Sequence, residues 1–261
     1  MIRLAASSAA AAVPPHVLRL IREDRLSDAG QWLRERLVEA PDCGATWRLL
    51  GLVEHGQRQW SSAAASLEEA SLHIPLDALA ECALAEAYGR LGKLQWALDL
   101  LSGVACSRGS SSMLLSRAAK LCDQMGCPAL AIAMSRRVLA SEPESSRGYF
   151  DLSHYLARSG APDSQIEATI RRAVALEPDE MVYRLALLGF LVDRGRVDEA
   201  YKTIAGLSQD GISQLDCRKC LGCFQHVYQH GGDAERVGWC VRQIERLTAS
   251  QTGTAGADGS P

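Results

Sequence analysis

The sequence predicts an all-α solenoid of six or seven helix pairs, and three observations carry that expectation. Several segments align with one another at a spacing of 34 residues, as in a stack of repeated units. Ala and Leu are plentiful while aromatic residues make up only 5%, a composition that favours closely packed helices over sheets. Small residues recur in phase where paired helices must approach, and Gly or Pro falls where the chain must turn.

The clearest copy spans residues 44–77. Trp47, Leu50 and Gly51 open one helix, and Ala63, Leu67, Ala70 and Pro75 punctuate a second. Antiparallel helices pack closely only where a small side chain on one meets the other. Gly51 and Ala63 therefore let the backbones approach while Trp47, Leu50 and Leu67 fill the space around them. Pro75 has no N–H to continue a helix and clashes with the preceding turn, so it ends the second helix. Residue for residue, this copy resembles the tetratricopeptide repeat, with one departure: Glu54 stands where that family usually has Tyr. The resemblance implies a right-handed superhelical solenoid that holds a partner and catalyses nothing.

The remaining copies follow in order. Residues 10–43 form a degenerate first copy, with Leu20, Ala29, Leu33 and Pro41 in register. Residues 78–111 supply Leu84, Ala85, Tyr88, Gly92, Ala97 and Leu101, and residues 112–145 supply Ala118, Ala119, Gly126, Ala131, Val138 and Pro143. The copy at 146–180 is one residue longer, and the extra residue belongs in the Gly160-Ala161-Pro162-Asp163 turn. Residues 181–214 carry Leu187, Leu188, Leu191, Gly195, Ala200 and Ile204, and a degenerate last copy occupies 215–248. End copies of a solenoid are atypical because their outer faces meet water. The solenoid is thus expected over 13–248, between a flexible segment at 1–12 and a disordered Gly/Ser/Thr-rich tail at 249–261. Helices of about 12–14 residues are marginal in isolation, so stability must come from stacking. Trp47, as a buried aromatic, is expected to matter most locally, at about 3–5 kcal/mol.

Bulk properties exclude several classes. A formal charge of −3 gives no global footprint for nucleic acid or an anionic membrane. The longest strongly apolar stretch, Tyr183 to Val192, is far too short to span a bilayer. Nine scattered cysteines, an odd number, suit a reducing compartment, with the cytoplasm as the expectation. No phosphate-binding loop, dinucleotide fingerprint, nucleophile elbow or zinc-protease motif is present, so neither an enzyme nor a cofactor is expected.

In the family it resembles, residues one, four, eight, eleven and twelve places into each repeat face a concave groove. Carried onto this chain, that pattern places Arg22, Arg48, Arg90, Lys120, Arg147, Arg158 and Lys219 in the groove against Glu86, Asp123, Asp193 and Asp216. The excess of cations predicts an acidic protein segment or a terminal carboxylate as ligand. Arg147, Phe150, His154 and Arg158 make the densest group, and Arg90 and Lys120 extend it. The chain contains no Asn, so the Asn-based carboxylate clamp and the Asn ladder of some relatives cannot form in their usual way. A self-associating structural solenoid is the competing expectation.

Cys217, Cys220 and Cys223 recur at three-residue intervals, with His226 following, so that Cys220, Cys223 and His226 share a helical face. Such a stripe offers zinc ligands, yet structural zinc sites draw theirs from turns and separate elements, so no metal is favoured. Flanking Arg218 and Lys219 lower a thiol pKa and leave a redox-responsive role open. Packing as small apolar residues is the leading expectation for this cluster.

Overall fold

A computed structural model describes residues 14–107 and 109–253, with side chains to residue 249. The expected flexible segment at 1–12 lies outside the described residues. The chain divides into two compact units, Met1–Pro143 and Glu144–Pro261. The first holds α1 (Pro15–Arg22), α2 (Leu26–Glu39), α3 (Gly44–Gly56), α4 (Trp60–His73), α5 (Ala78–Arg90), α6 (Leu94–Cys106), α7 (Ser112–Gln124) and α8 (Pro128–Ser141). The second holds α9 (Ser146–Arg158), α10 (Asp163–Leu176), α11 (Met181–Asp193), α12 (Val197–Ile204), α13 (Gln209–Ser213), α14 (Arg218–His230) and α15 (Ala234–Gly253). The architecture is an all-α repeat solenoid, with no strand among the described residues. None of these helices is long and apolar enough to cross a membrane.

Local chemistry sets the helix boundaries. Asp77, Ser111 and Ser145 each accept a backbone N–H three residues on, capping α5, α7 and α9. Left-handed backbone follows the first helix of every pair, at Gly92, Gly126, Gly160, Gly195 and Gly232 and, without glycine, at Asp24 and Arg58. Such a residue turns the chain back so that the second helix packs antiparallel to the first. The turn between α9 and α10 runs from Ser159 to Pro162, one residue longer than its counterparts, so the insertion sits in the turn.

Packing follows the small-residue pattern. A Cβ on Gly51 would lie 2.5 Å from Leu67 Cγ and 3.2 Å from the Ala63 carbonyl oxygen, so α3 and α4 meet through a glycine that nothing larger can replace without a shift. Leu67, Ala63 and Ala70 are wholly buried and Leu50 nearly so. Pro75 is exposed, two residues after α4 ends. Trp47 differs from expectation. It is only partly buried, and its indole N–H donates to the Pro41 carbonyl at 2.6 Å. It staples one turn to the next helix, and the core itself is made by aliphatic neighbours. In the second unit Phe224 and Tyr228 are fully buried, and the Tyr228 hydroxyl donates to the Ile204 carbonyl at 2.9 Å, which satisfies its polar end.

Two regions depart from regular helix pairs. In the copy at 181–214, α12 has 8 residues and stops at Ile204. Gly206 follows, Leu207 is buried, and the Ser208 hydroxyl accepts the Gly211 N–H to start the short α13. At the C-terminus α15 continues to Gly253, five residues into the segment expected to be a disordered tail. Residues 254–261 lie outside the described residues.

Candidate functional site

In the first unit the first helices α3, α5 and α7 border a cavity of about 420 Å³. Leu52, Trp60, Leu79 and Ala83 supply apolar lining, and Met113, 61% exposed, stands at its rim. Its polar centre is Glu86, whose Oε2 lies 2.9 Å from His55 Nε2 and accepts from Arg117 at 3.0 Å. Arg90 lies 3.8 Å from the other carboxylate oxygen and 5.6 Å above the Trp60 ring. Trp60 also meets the His55 ring edge-on, at 5.4 Å. The hydrogen bond with His55 and then, against the cost of burial, the one from Arg117 hold the Glu86 carboxyl down to about 2. Two arginines, Arg90 and Arg117, stand against the Glu86 carboxylate, and Arg58 adds a further cation to the cavity lining.

One residue expected in the groove is spent elsewhere. Arg48 is largely buried in an ion pair with Asp77. Lys120 is exposed on α7 and does not line the cavity. Conversely His55 and Arg117 were missing from the expected set of charges, and they turn out to organise the cavity. A signal for them exists in the sequence. His55, Glu86 and Arg117 are each 31 residues apart, one repeat less about one helical turn. Side chains on a helix point back toward its N-terminus, and this offset brings successive repeats into contact.

In the second unit α9 carries Arg147, Phe150, His154 and Arg158. Arg147 is exposed, donates to Asp151 at 2.9 Å, and lies 5.8 Å from the Phe150 ring. Phe150 packs on Tyr183 of α11 at 5.1 Å, which ties the first helices of two successive repeats together. His154 and Arg158 are exposed, the former edge-on to Tyr155. Asp151 offsets part of the charge expected of this group.

Cys217, Cys220 and Cys223 lie on the first two turns of α14 and its cap, while His226 is exposed one turn further on. Among the described residues no three His, Cys, Asp or Glu side chains converge to hold a metal ion.

No protein-family model matches the sequence, and no curated protein matches it either. Solved structures do match in fold. The C-terminal part of a TPR repeat-containing protein from Cytophaga hutchinsonii aligns with a TM-score of 0.67 at 8% identity, over 89% of this chain and 94% of that one. A tetratricopeptide repeat protein from Parabacteroides merdae aligns with a TM-score of 0.60 at 14% identity, over 89% and 90%. YrrB, described as a TPR protein with an unusual peptide-binding site, aligns with a TM-score of 0.55 at 14% identity, over 65% of this chain and 87% of its own. The fold is that of tetratricopeptide-repeat proteins.

Proposed function

We propose that this chain is a non-catalytic scaffold that binds an acidic segment of a partner protein in the cavity between α3, α5 and α7. One observation carries the reading: apolar Leu52, Leu79 and Trp60 line the cavity together with Arg58 and Arg117, and Arg90 stands beside it over the Trp60 ring. An apolar anchor of the partner would enter the cavity, and flanking carboxylates would meet these arginines. The described peptide-binding site of YrrB supports peptide recognition on this fold in general. The Glu86 carboxylate orients His55 and Arg117 and keeps their donors fixed before a ligand arrives, which lowers the ordering cost of binding. The α9 group, Arg147, Phe150, His154 and Arg158, offers a second contact in the other unit. Free, buried thiols at Cys82, Cys122 and Cys240 support a reducing compartment such as the cytoplasm.

Selection from a random peptide-display library on the purified full chain tests this reading. Enrichment of sequences with an apolar residue flanked by Asp or Glu is expected, and it should vanish with Arg58→Glu/Arg90→Glu. Enrichment that survives this pair and is lost with Arg147→Glu/Arg158→Glu would move the site to α9. No enrichment at all would remove the peptide-binding reading.

A further inference from the structure

The start of α14 carries an arrangement that partner binding does not use. Cys217 is the residue preceding the helix, with extended backbone at φ −93° and ψ 104°, and its sulfur accepts the backbone N–H of Cys220 at 3.3 Å. The position that Asp or Ser fills at other helices of this chain is thus held by a thiol, exposed to solvent. Thiolate is the better acceptor here, because the first-turn N–H groups and the positive end of the helix dipole favour negative charge. That bond sets the Cys217 sulfur against the backbone of Cys220, three residues on.

We propose that Cys217 and Cys220 form a thiol–disulfide exchange site for low-molecular-weight disulfides, with Cys217 as the attacking thiolate and Cys220 as the resolving thiol. Three features assign these roles. Cys217 is exposed and Cys220 is partly covered, so a disulfide from solution meets Cys217 first. Hydrogen bonds from the Cys220 side chain and backbone lower the Cys217 pKa, while burial and then the neighbouring Cys217 push Cys220 up to about 11. Geometry also selects the pair. Cys220 and Cys223 both lie inside the helix, where residues three apart have Cβ atoms about 5–6 Å apart. A disulfide needs about 3.8 Å. Only Cys217, on extended backbone and folded back onto the first turn, approaches Cys220 without breaking helical geometry.

The exchange balances as follows. The Cys217 thiolate attacks one sulfur of oxidised glutathione, forms a mixed disulfide and expels one glutathione thiolate. Cys220 gives its proton to solvent, and its thiolate attacks the Cys217 sulfur and expels the second glutathione thiolate. Two protein thiols are oxidised to one disulfide while one small disulfide is reduced to two thiols.

The test treats the full chain with oxidised glutathione, quenches with acid, alkylates the remaining thiols and digests with trypsin. Trypsin cuts after Arg218 and Lys219, so the bond appears as a link between the peptide ending at Arg218 and the peptide beginning at Cys220. The wild type should give that link, and Cys220→Ser should instead retain glutathione on Cys217. In reduced protein at neutral pH, iodoacetamide should modify Cys217 about tenfold faster than Cys106, which is also exposed. Cys217→Ser keeps a hydroxyl cap for α14 and should abolish the link with unchanged helicity. Modification of Cys217 no faster than Cys106, or a glutathione adduct on wild-type Cys217 that Cys220 never resolves, would overturn the assignment.

Discussion

Arg34 of α2 donates to Glu54 of α3 at 3.0 Å, across the boundary between two repeats. Glu54 is buried, and its second oxygen accepts from the Ser66 hydroxyl of α4 at 2.7 Å. Where the resembled repeat usually places Tyr, this chain buries a carboxylate and satisfies it from both sides. Replacing Arg34 by Ala leaves that charge with one partner and should cost about 1–3 kcal/mol, less than a fully buried pair because Arg34 is half exposed. Urea denaturation of Arg34→Ala, Glu54→Gln and the double variant checks this. A coupling energy near zero would mean that the pair contributes nothing.

Gly51 is a point of close approach between α3 and α4. Gly51→Ala forces its Cβ toward Leu67 and the Ala63 carbonyl, and we expect a loss of about 1–3 kcal/mol. Leu67→Ala opens the same place from the other side and should cost about 2–5 kcal/mol. Combining the two should cost less than their sum, because the cavity left by Leu67 accepts the new methyl. Thermal unfolding of the three variants measures the non-additivity.

Arg58 occupies a left-handed position, φ 60°, that the five following copies fill with Gly92, Gly126, Gly160, Gly195 and Gly232. Arg58→Gly removes this backbone strain and should stabilise the protein by about 0.5–1 kcal/mol, since glycine's extra freedom in the unfolded chain offsets part of the gain. Gly126→Ala should do the reverse, with open space around its Cβ leaving backbone strain as the cause. Chemical denaturation curves for both variants give the signs.

Glu86 predicts a pH dependence. Its folded pKa lies below the unfolded one, so its contribution to stability is fully present above the unfolded carboxylate range and is lost as pH falls toward about 2. Wild type should therefore exceed Glu86→Gln by about 2–3 kcal/mol at neutral pH, with the difference shrinking steadily below pH ~5. A gap that stays constant from neutral to acid pH would contradict the low folded pKa.

Much of the fold was legible because close helix packing constrains residue size. Gly51, Ala63 and Ala70 sit where backbones approach, and their 34-residue recurrence places the pair boundaries before any side-chain contact is known. Burial of Trp47 was not legible, since a large ring at an end of a helix can either fill a core or, as here, cover a turn through its N–H. The break after Ile204 was also missed, because Ala200 and Ile204 keep helical phase up to the residue where Gly206 and the Ser208 cap redirect the chain. A position pattern borrowed from the resembled repeat includes Glu86, which lines the cavity, and Arg90 beside it, but passes over Arg117. The long Arg117 side chain reaches Glu86 from a position outside that pattern, a contact marked instead by the 31-residue offset. Ion pairing was the other illegible layer, as Asp77 and Asp151 draw in Arg48 and Arg147.

The most direct test of partner binding is a fluorescence-anisotropy titration of a labelled peptide carrying one Leu flanked by Asp residues, at low and at physiological salt. We expect saturable binding that weakens with salt and falls about tenfold or more with Arg58→Glu/Arg90→Glu, while circular dichroism stays unchanged. Equal affinity for wild type and the charge-reversed variant, or no binding of any acidic-apolar peptide, would contradict the cavity between α3, α5 and α7 as the site where this solenoid holds its partner.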